Sequence, residues 1–415
     1  MNRTRTRSST GLVLALGTAQ TVAWASSNYL PAILAAPIAL DLGVSRATVF
    51  GAFSMALVVT GLAGPAVGRL IDRGYGRATL VGSNLVHIAG LLMLASASSP
   101  PALFLAWAVL GAGMAMGLYD AAFATLVRLH GQAARTPITG ITLIGGFAST
   151  VGWPLTAWMA DAEGWRTACL AWAAIHLLIA LPLNLLCIPS APPQAPKEKD
   201  APSPALANAE SAHRSDSTAP PRGAFPLLVL FFAATAFVTS AMGAHLPGLL
   251  AATGVSAATA LAAAALMGPA QVVARLSEFL AMRRYRFHPM LTARIASALQ
   301  PVGVVVLLVL GGVSFAPLAL FAPFAYALLY GAGNGMLTIA RGTLPLAIFG
   351  PEGYGQRVGW LSVIARAMQA AAPFAFSWML EALGVRWSLA ISAAASLVAL
   401  GALLALRTGS RHHAT

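Results

Sequence analysis

Five charged residues stand inside long apolar runs of this chain: Asp120, Arg275, Glu278, Arg341 and Arg366. A charge at the centre of a bilayer costs at least about 2.5 to 3.5 kcal/mol on insertion scales, so each needs a partner or a task. Three guanidinium groups against two carboxylates leave one positive charge in excess, which suits an anionic solute. Asp120 or Glu278 can then titrate and couple proton movement to that of the solute. The same residues also suit locks: Asp120 against Arg341, Glu278 against Arg275 at i, i+3, and Arg366 snorkelling to the interface. Both arrangements are compatible, because a pair that closes a path also holds the group that titrates.

The rest of the composition says what must position them. The chain has 415 residues, of which 58% are hydrophobic and only 9% charged, with a mean hydropathy of +0.76. Soluble domains carry about 25% charged residues, so globular-enzyme, disordered and fibrous classes are excluded. Crossing a bilayer core about 30 Å thick takes roughly 20 apolar residues. Twelve runs qualify: 11–35, 47–69, 79–97, 103–127, 137–160 and 167–188, then 224–250, 259–282, 290–312, 318–349, 358–380 and 388–406. The tenth is too long for one straight crossing, so its tail after Arg341 is expected to lie along the membrane surface. At 1.5 Å per residue, Asp120, Arg275 and Arg366 sit roughly 10 to 12 Å inside the same end of their spans.

The net charge of +13 reports topology rather than a nucleic-acid partner, because the basic residues cluster in alternate loops. One side receives Arg3, Arg5, Arg7, Arg69, Arg73, Arg77, Arg128, Arg135, Arg283, Arg284, Arg286, Arg357, Arg407 and Arg411; the other receives only Arg46, Arg166 and Arg386. Both termini are therefore expected in the cytoplasm, with the chain in the cytoplasmic (inner) membrane. The first apolar run exceeds a leader's apolar core and is read as a retained span. Residues 189–223 are rich in Pro, Ala and Ser and carry eight charges. They read as a disordered cytoplasmic linker. The expected organisation is a tail (1–10), a six-helix bundle (11–188), the linker (189–223), a second six-helix bundle (224–406) and a tail (407–415).

The two bundles repeat. Gly111 and Gly113 match Gly331 and Gly333, and Gly164-Trp165-Arg166 matches Gly384-Val385-Arg386, each at an offset of 220. Tyr29-Leu30-Pro31 answers His245-Leu246-Pro247, Gly43-Val44-Ser45 answers Gly254-Val255-Ser256, and Gly64-Pro65 answers Gly268-Pro269. Two homologous halves around a central path is a transporter pattern, with the solute at their interface. The pairs Gly64/Gly68, Gly113/Gly117 and Gly331/Gly335 have the GxxxG spacing that permits close helix approach.

Between spans two and three, Gly68-Arg69-Leu70-Ile71-Asp72-Arg73-Gly74-Tyr75-Gly76-Arg77 resembles the loop signature of the major facilitator superfamily, with one extra residue before Gly76. The counterpart near Arg283 lacks the acidic member. The resemblance implies an all-α fold of twelve transmembrane helices in two pseudo-symmetric bundles, working by alternating access without a cofactor. It makes Gly68, Asp72, Arg73, Gly76 and Arg77 a cytoplasmic gate. Physically, Asp72 at a helix end can pair with nearby basic groups and with neighbouring helix N-termini, a latch that breaks on opening. The resemblance also puts spans one, four, seven and ten around the cavity, and with them Gln20, Trp24, Asn28, Tyr29, Tyr119, His245, Tyr326, Tyr330 and Asn334. Of these, Asn28 and Asn334 are the better solute contacts, since buried amides need partners. His245 is the stronger proton-relay candidate, and His87 and His176 are structural.

The expected function is secondary transport of a small organic anion or metabolite, proton-linked or facilitative, by a monomer in the lipid bilayer. Efflux of drugs or toxic compounds by the same fold is the alternative, but span five, with Gly140, Gly145, Gly146 and Gly152-Trp153-Pro154, departs from the signature of the family's drug antiporters. No enzyme motif stands in the chain. Cys169 and Cys187 lie about 27 Å apart along one helix and share no metal.

Overall fold

The computed structural model describes residues 3–190, 221, 223–285, 288–311 and 316–406. Nearly all of the expected linker, and the tail 407–415, lie outside the described residues. Among the described residues every regular element is a helix. Six continuous stretches are long and apolar enough to cross a membrane, and two of them, Arg46–Ala95 and Pro100–Cys187, run through the loops between successive spans. Gly74 (φ 101°), Gly164 (φ 85°) and Gly384 (φ 79°) turn the chain in such loops. With the first, tenth and eleventh spans, twelve crossings result.

Several crossings are interrupted. Span one is two helices, Arg3–Ala25 and Leu30–Asp41, joined by a turn over residues 26–29. Pro31 opens the second helix, where its missing N–H leaves no bond unmade. Span four is Pro100–Gly117 and Tyr119–His130, hinged at Leu118, whose backbone is extended (φ −80°, ψ −173°). Span five is interrupted after Gly145, and its second helix begins at Ala148. Interrupted backbone at membrane depth is tolerated where protein or a cavity, rather than lipid, borders it.

The tenth span corrects an expectation. Ala316–Phe349 is one helix of 34 residues, with no surface segment after Arg341. Thr343, Leu344 and Leu346 are buried in the protein, so packing holds the extra turns in line.

The repeat has a physical basis at its turns. Ser45 caps the helix Arg46–Leu70 by accepting from the Thr48 N–H at 3.1 Å, and Ser256 caps Ala257–Ala265 by accepting from the Thr259 N–H at 3.1 Å. Each follows a left-handed glycine, Gly43 (φ 62°) or Gly254 (φ 100°).

Buried apolar side chains form four clusters. One, from Ala19 to Ala180, is built from the first half, and two others, around Phe231 and Tyr326, are built from the second. The fourth mixes them: Leu346, Tyr354 and Val358 join Leu16, Ile71, Phe123 and Ile138. It lies at the end carrying the Arg69 to Arg77 loop, here called the basic end. The halves are thus sealed at the basic end, while the buried members of the clusters nearer the opposite end come from one half each, with Ala370 of the second half resting on the first-half cluster.

Candidate functional site

The seal has two edges of different chemistry. Along the first, spans two and eleven meet through small residues. A Cβ on Gly64 would stand 3.3 Å from the Gly359 oxygen, and one on Gly359 would stand 2.5 Å from the Gly64 oxygen. Gly68 lies against Gly355 in the same way. These contacts are backbone on backbone, which larger residues exclude. At the end of this edge the Asp72 carboxylate accepts from the Gly355 N–H at 2.8 Å and the Gln356 N–H at 2.9 Å. It thereby caps the helix starting at Tyr354, with the favourable end of the helix dipole toward it. Burial pushes this carboxyl up from its ordinary value, against the two backbone bonds and the charges of Arg357 and Arg128.

The other gate-motif residues face the first half or solvent. Gly76 packs on Thr125, Arg77 donates to Ser190 Oγ at 3.1 Å and to the Leu185 carbonyl, and Arg73 is exposed.

Along the second edge, spans five and eight meet through charges. Arg275, 5% exposed, donates from Nη1 to the Thr142 carbonyl of the first half at 3.3 Å. Its other bonds go to the Gly335 carbonyl, Gln271 Oε1 and Thr338 Oγ1, each at 3.2 Å. The expected Arg275 and Glu278 pair is therefore replaced. Glu278 faces the hydroxyl of Thr292 and the charge of Arg135 across the interface. The i, i+3 spacing brings two side chains near each other on one helix, but the partners on neighbouring helices decide where they point.

Inside this seal lies the central charge layer. Ser362 Oγ donates to Asp120 Oδ2 at 2.8 Å, and Arg366 Nη2 stands 3.6 Å from the same oxygen. Arg366 Nη1 donates to Gln369 Oε1 at 2.8 Å. Arg366 does not snorkel: it is 8% exposed and bridges the halves. Nor is Arg341 the close partner of Asp120. Its Nη2 stands 3.5 Å from Thr235 Oγ1, while the charges of Arg366 and Asp120 act on it from nearby. The repeat put Asp120 and Arg341 at neighbouring positions, but span eleven comes between with Ser362 and Arg366. A cavity of about 20 Å³, lined by Thr60, Asp120, Gly64, Gly68, Gly355 and Gly359, separates Asp120 from the glycine edge. That is room for one water.

The remaining candidates are spread around this layer. Asn334 Oδ1 accepts from Thr239 Oγ1 at 3.1 Å, and His245 Nε2 lies 2.9 Å from the Pro373 carbonyl. Asn28 sits in the turn that interrupts span one, and Gln20 Nε2 ties that span to the Gly117 carbonyl at the hinge of span four (2.6 Å). His87 and His176 stack with centroids 4.8 Å apart. Ser26 and Asn84 bond the two nitrogens of His176 at 2.7 and 2.9 Å.

Sequence reasoning missed Ser362, Arg294 and the Gly355/Gly359 pair. The last has GxxxG spacing and was findable; a lone serine carries no such signal. Arg294, inside span nine, donates to the carbonyls of Leu403 and Leu406 at 2.8 and 3.2 Å, satisfying the end of the last helix.

A twelve-span bundle sealed at one end around buried charges defines a membrane transporter. Residues 16–330 match the family model described as Major Facilitator Superfamily, and the chain belongs to that family. An uncharacterized 38 kDa protein in the 23S RNA operon of Thermoproteus tenax is 35% identical over 153 residues, covering 36% of this chain. The match spans only 38% of that relative's length.

Similar solved structures include the human organic anion transporter MFSD10 (TM-score 0.67, 17% identity, 97% of this chain and 100% of that one). The fucose:proton symporter FucP of E. coli is also similar (0.68, 14%, 96% and 98%). So is the proton:xylose symporter XylE (0.69, 12%, 94% and 94%). At these identities the likeness is one of fold.

Proposed function

We propose that this chain carries a small organic anion by alternating access, with Asp120 as the proton-coupling carboxylate. The contact of Asp120 with Ser362 and Arg366 carries the reading. It joins the two halves in an apolar layer beside the sealed end. Protonating Asp120 removes its attraction for Arg366, which leaves Arg366 and Arg341 free to hold an anion and loosens the seal. Deprotonation restores it. Arg275, Arg341 and Arg366 outnumber Asp120 and Glu278, so the layer favours negative solutes.

The chain sits in the cytoplasmic membrane with both termini inside the cell, a reading supported by the loop arginines. One copy suffices, since the path runs between its own halves. Gly68 and Asp72 close the gate at the cytoplasmic end, and Arg73, Gly76 and Arg77 complete the loop that carries them. Asn28, Asn334 and His245 serve the solute path.

The test is proton movement in proteoliposomes loaded with a pH-sensitive dye. Adding lactate, succinate or benzoate is expected to move protons with at least one anion, and Asp120→Asn to abolish that coupling while labelled-anion counterflow persists. Proton movement undiminished in Asp120→Asn would overturn the coupling role. A response to cationic dyes and to none of the anions would overturn the solute class.

A further inference from the structure

Four aromatic rings converge above the charge layer, where the halves are no longer sealed. Trp24 lies just before the turn in span one and Tyr29 closes it, Tyr119 opens the second helix of span four, and Trp153 lies on span five. Trp24 is 5.9 Å from Tyr29 and 5.0 Å from Tyr119 between ring centroids. Tyr29 meets Trp153 edge to face at 5.7 Å. All four rings belong to the first half, yet Tyr119 and Arg275 of the second half meet the same bend of span five: a Cβ on Gly145 would stand 2.6 Å from Tyr119 Oη, and one on Gly146 would press on Arg275 Nη1. This side of the ring group therefore borders the second half.

Packing accounts for part of each ring: Trp24 rests on the first-half cluster, and Tyr119 stacks on Phe123 with centroids 5.3 Å apart. Rings serving only as core would be covered, as Trp107 and Trp172 are, whereas Trp24, Tyr29 and Tyr119 stay partly open and Trp153 is 40% exposed. Offset and edge-to-face geometries leave ring faces and edges available to a further planar group. A cation would use such faces, but here it would meet Arg275 with Arg341 and Arg366 beyond. A sugar would also stack on such rings, but as a neutral solute it leaves the charge of Arg275, Arg341 and Arg366 unmatched. A planar ring bearing a negative group satisfies both the wall and the arginine.

We infer that the halves enclose a subsite for an aromatic carboxylate, its ring against Trp24, Tyr29, Tyr119 and Trp153 and its carboxylate toward Arg275. This deepens the anion-carrier reading and rests on it. Arg275 has bonds of only 3.2 to 3.3 Å to neutral acceptors, and a carboxylate competes well for such donors. Drawing Arg275 from the Thr142 carbonyl also releases one edge of the seal, which links occupancy to opening.

The experiment measures binding to the purified full-length protein by calorimetry and thermal shift. The probes are benzoate, cyclohexanecarboxylate, succinate and benzyltrimethylammonium. Benzoate is expected to bind about three- to tenfold more tightly than cyclohexanecarboxylate, the size of a ring-stacking preference. Trp153→Leu and Tyr29→Leu are each expected to reduce that ratio toward one. Equal binding of the two ring acids, binding of succinate alone, or no binding of benzoate would overturn the aromatic subsite while leaving the anion reading to its own test. Binding of benzyltrimethylammonium and of no anion would overturn both.

Discussion

Substituting either member of one glycine pair tests whether the seal between spans two and eleven is a true closed state. In Gly359→Ala the new Cβ would lie 2.5 Å from the Gly64 oxygen and 2.6 Å from Pro65 Cα. Ordinary contact begins near 3.4 Å, so the helices must part by about 0.9 Å, and the opposing atoms are backbone that cannot swing aside. Overpacking of this kind costs about 1 to 3 kcal/mol. In the proposed alternating access this contact parts when the basic end opens, so that cost shifts the sealed-to-open ratio about 5- to 140-fold toward opening.

Gly64→Ala in the same pair is the control. Its Cβ would meet the Gly359 oxygen at 3.3 Å, a shortfall small enough to relax, and its shift should be under about threefold. The assay is the distance between spin labels at Leu40→Cys and Leu383→Cys, both exposed at the opposite end, in a Cys187→Ser background that removes the exposed native thiol. Gly359→Ala should enrich the shorter distance as the opposite end closes. Unchanged distances in a folded Gly359→Ala protein, or a larger response to Gly64→Ala, would refute the reasoning.

Other outcomes follow from single contacts. The Asp72 carboxyl is raised when sealed and returns to its ordinary value of 3.8 when released to water, so the sealed state binds the proton more tightly. Sealing should therefore strengthen as pH falls through the window just above 3.8, and Asp72→Asn should remove that component of the pH dependence of the label distance. Ser45→Ala and Ser256→Ala should each cost about 1 kcal/mol in reversible unfolding, the loss of equivalent N-caps in the two halves. Arg294→Gln should weaken the end of the last helix by about 1 kcal/mol per lost bond, read as faster amide exchange near Leu403 and Leu406.

What was legible in the sequence is what depends on neighbours along the chain. A span needs only a run of apolar residues, and the Gly43/Ser45 and Gly254/Ser256 turns need only a left-handed glycine and a capping hydroxyl. The charge layer was legible for the same reason, since Asp120 or Arg275 in an apolar run is conspicuous wherever the helix points. Pairing was not. Whether Asp120 meets Arg341 or Arg366 depends on the rotation of spans four, ten and eleven about their axes, which no local pattern encodes. The length of span ten points to a tail along the membrane surface, but the buried Thr343, Leu344 and Leu346 keep one helix running to Phe349.

The two edges of the seal occupy related positions in the two halves, yet one is a dry row of glycines and the other rests on Arg275, Arg135 and Glu278. Charges buried as deeply as Arg275 and Glu278 are little screened by added salt, so the second edge holds at high ionic strength. Opening then differs from edge to edge: one must break charged contacts, while the other only parts a row of glycines.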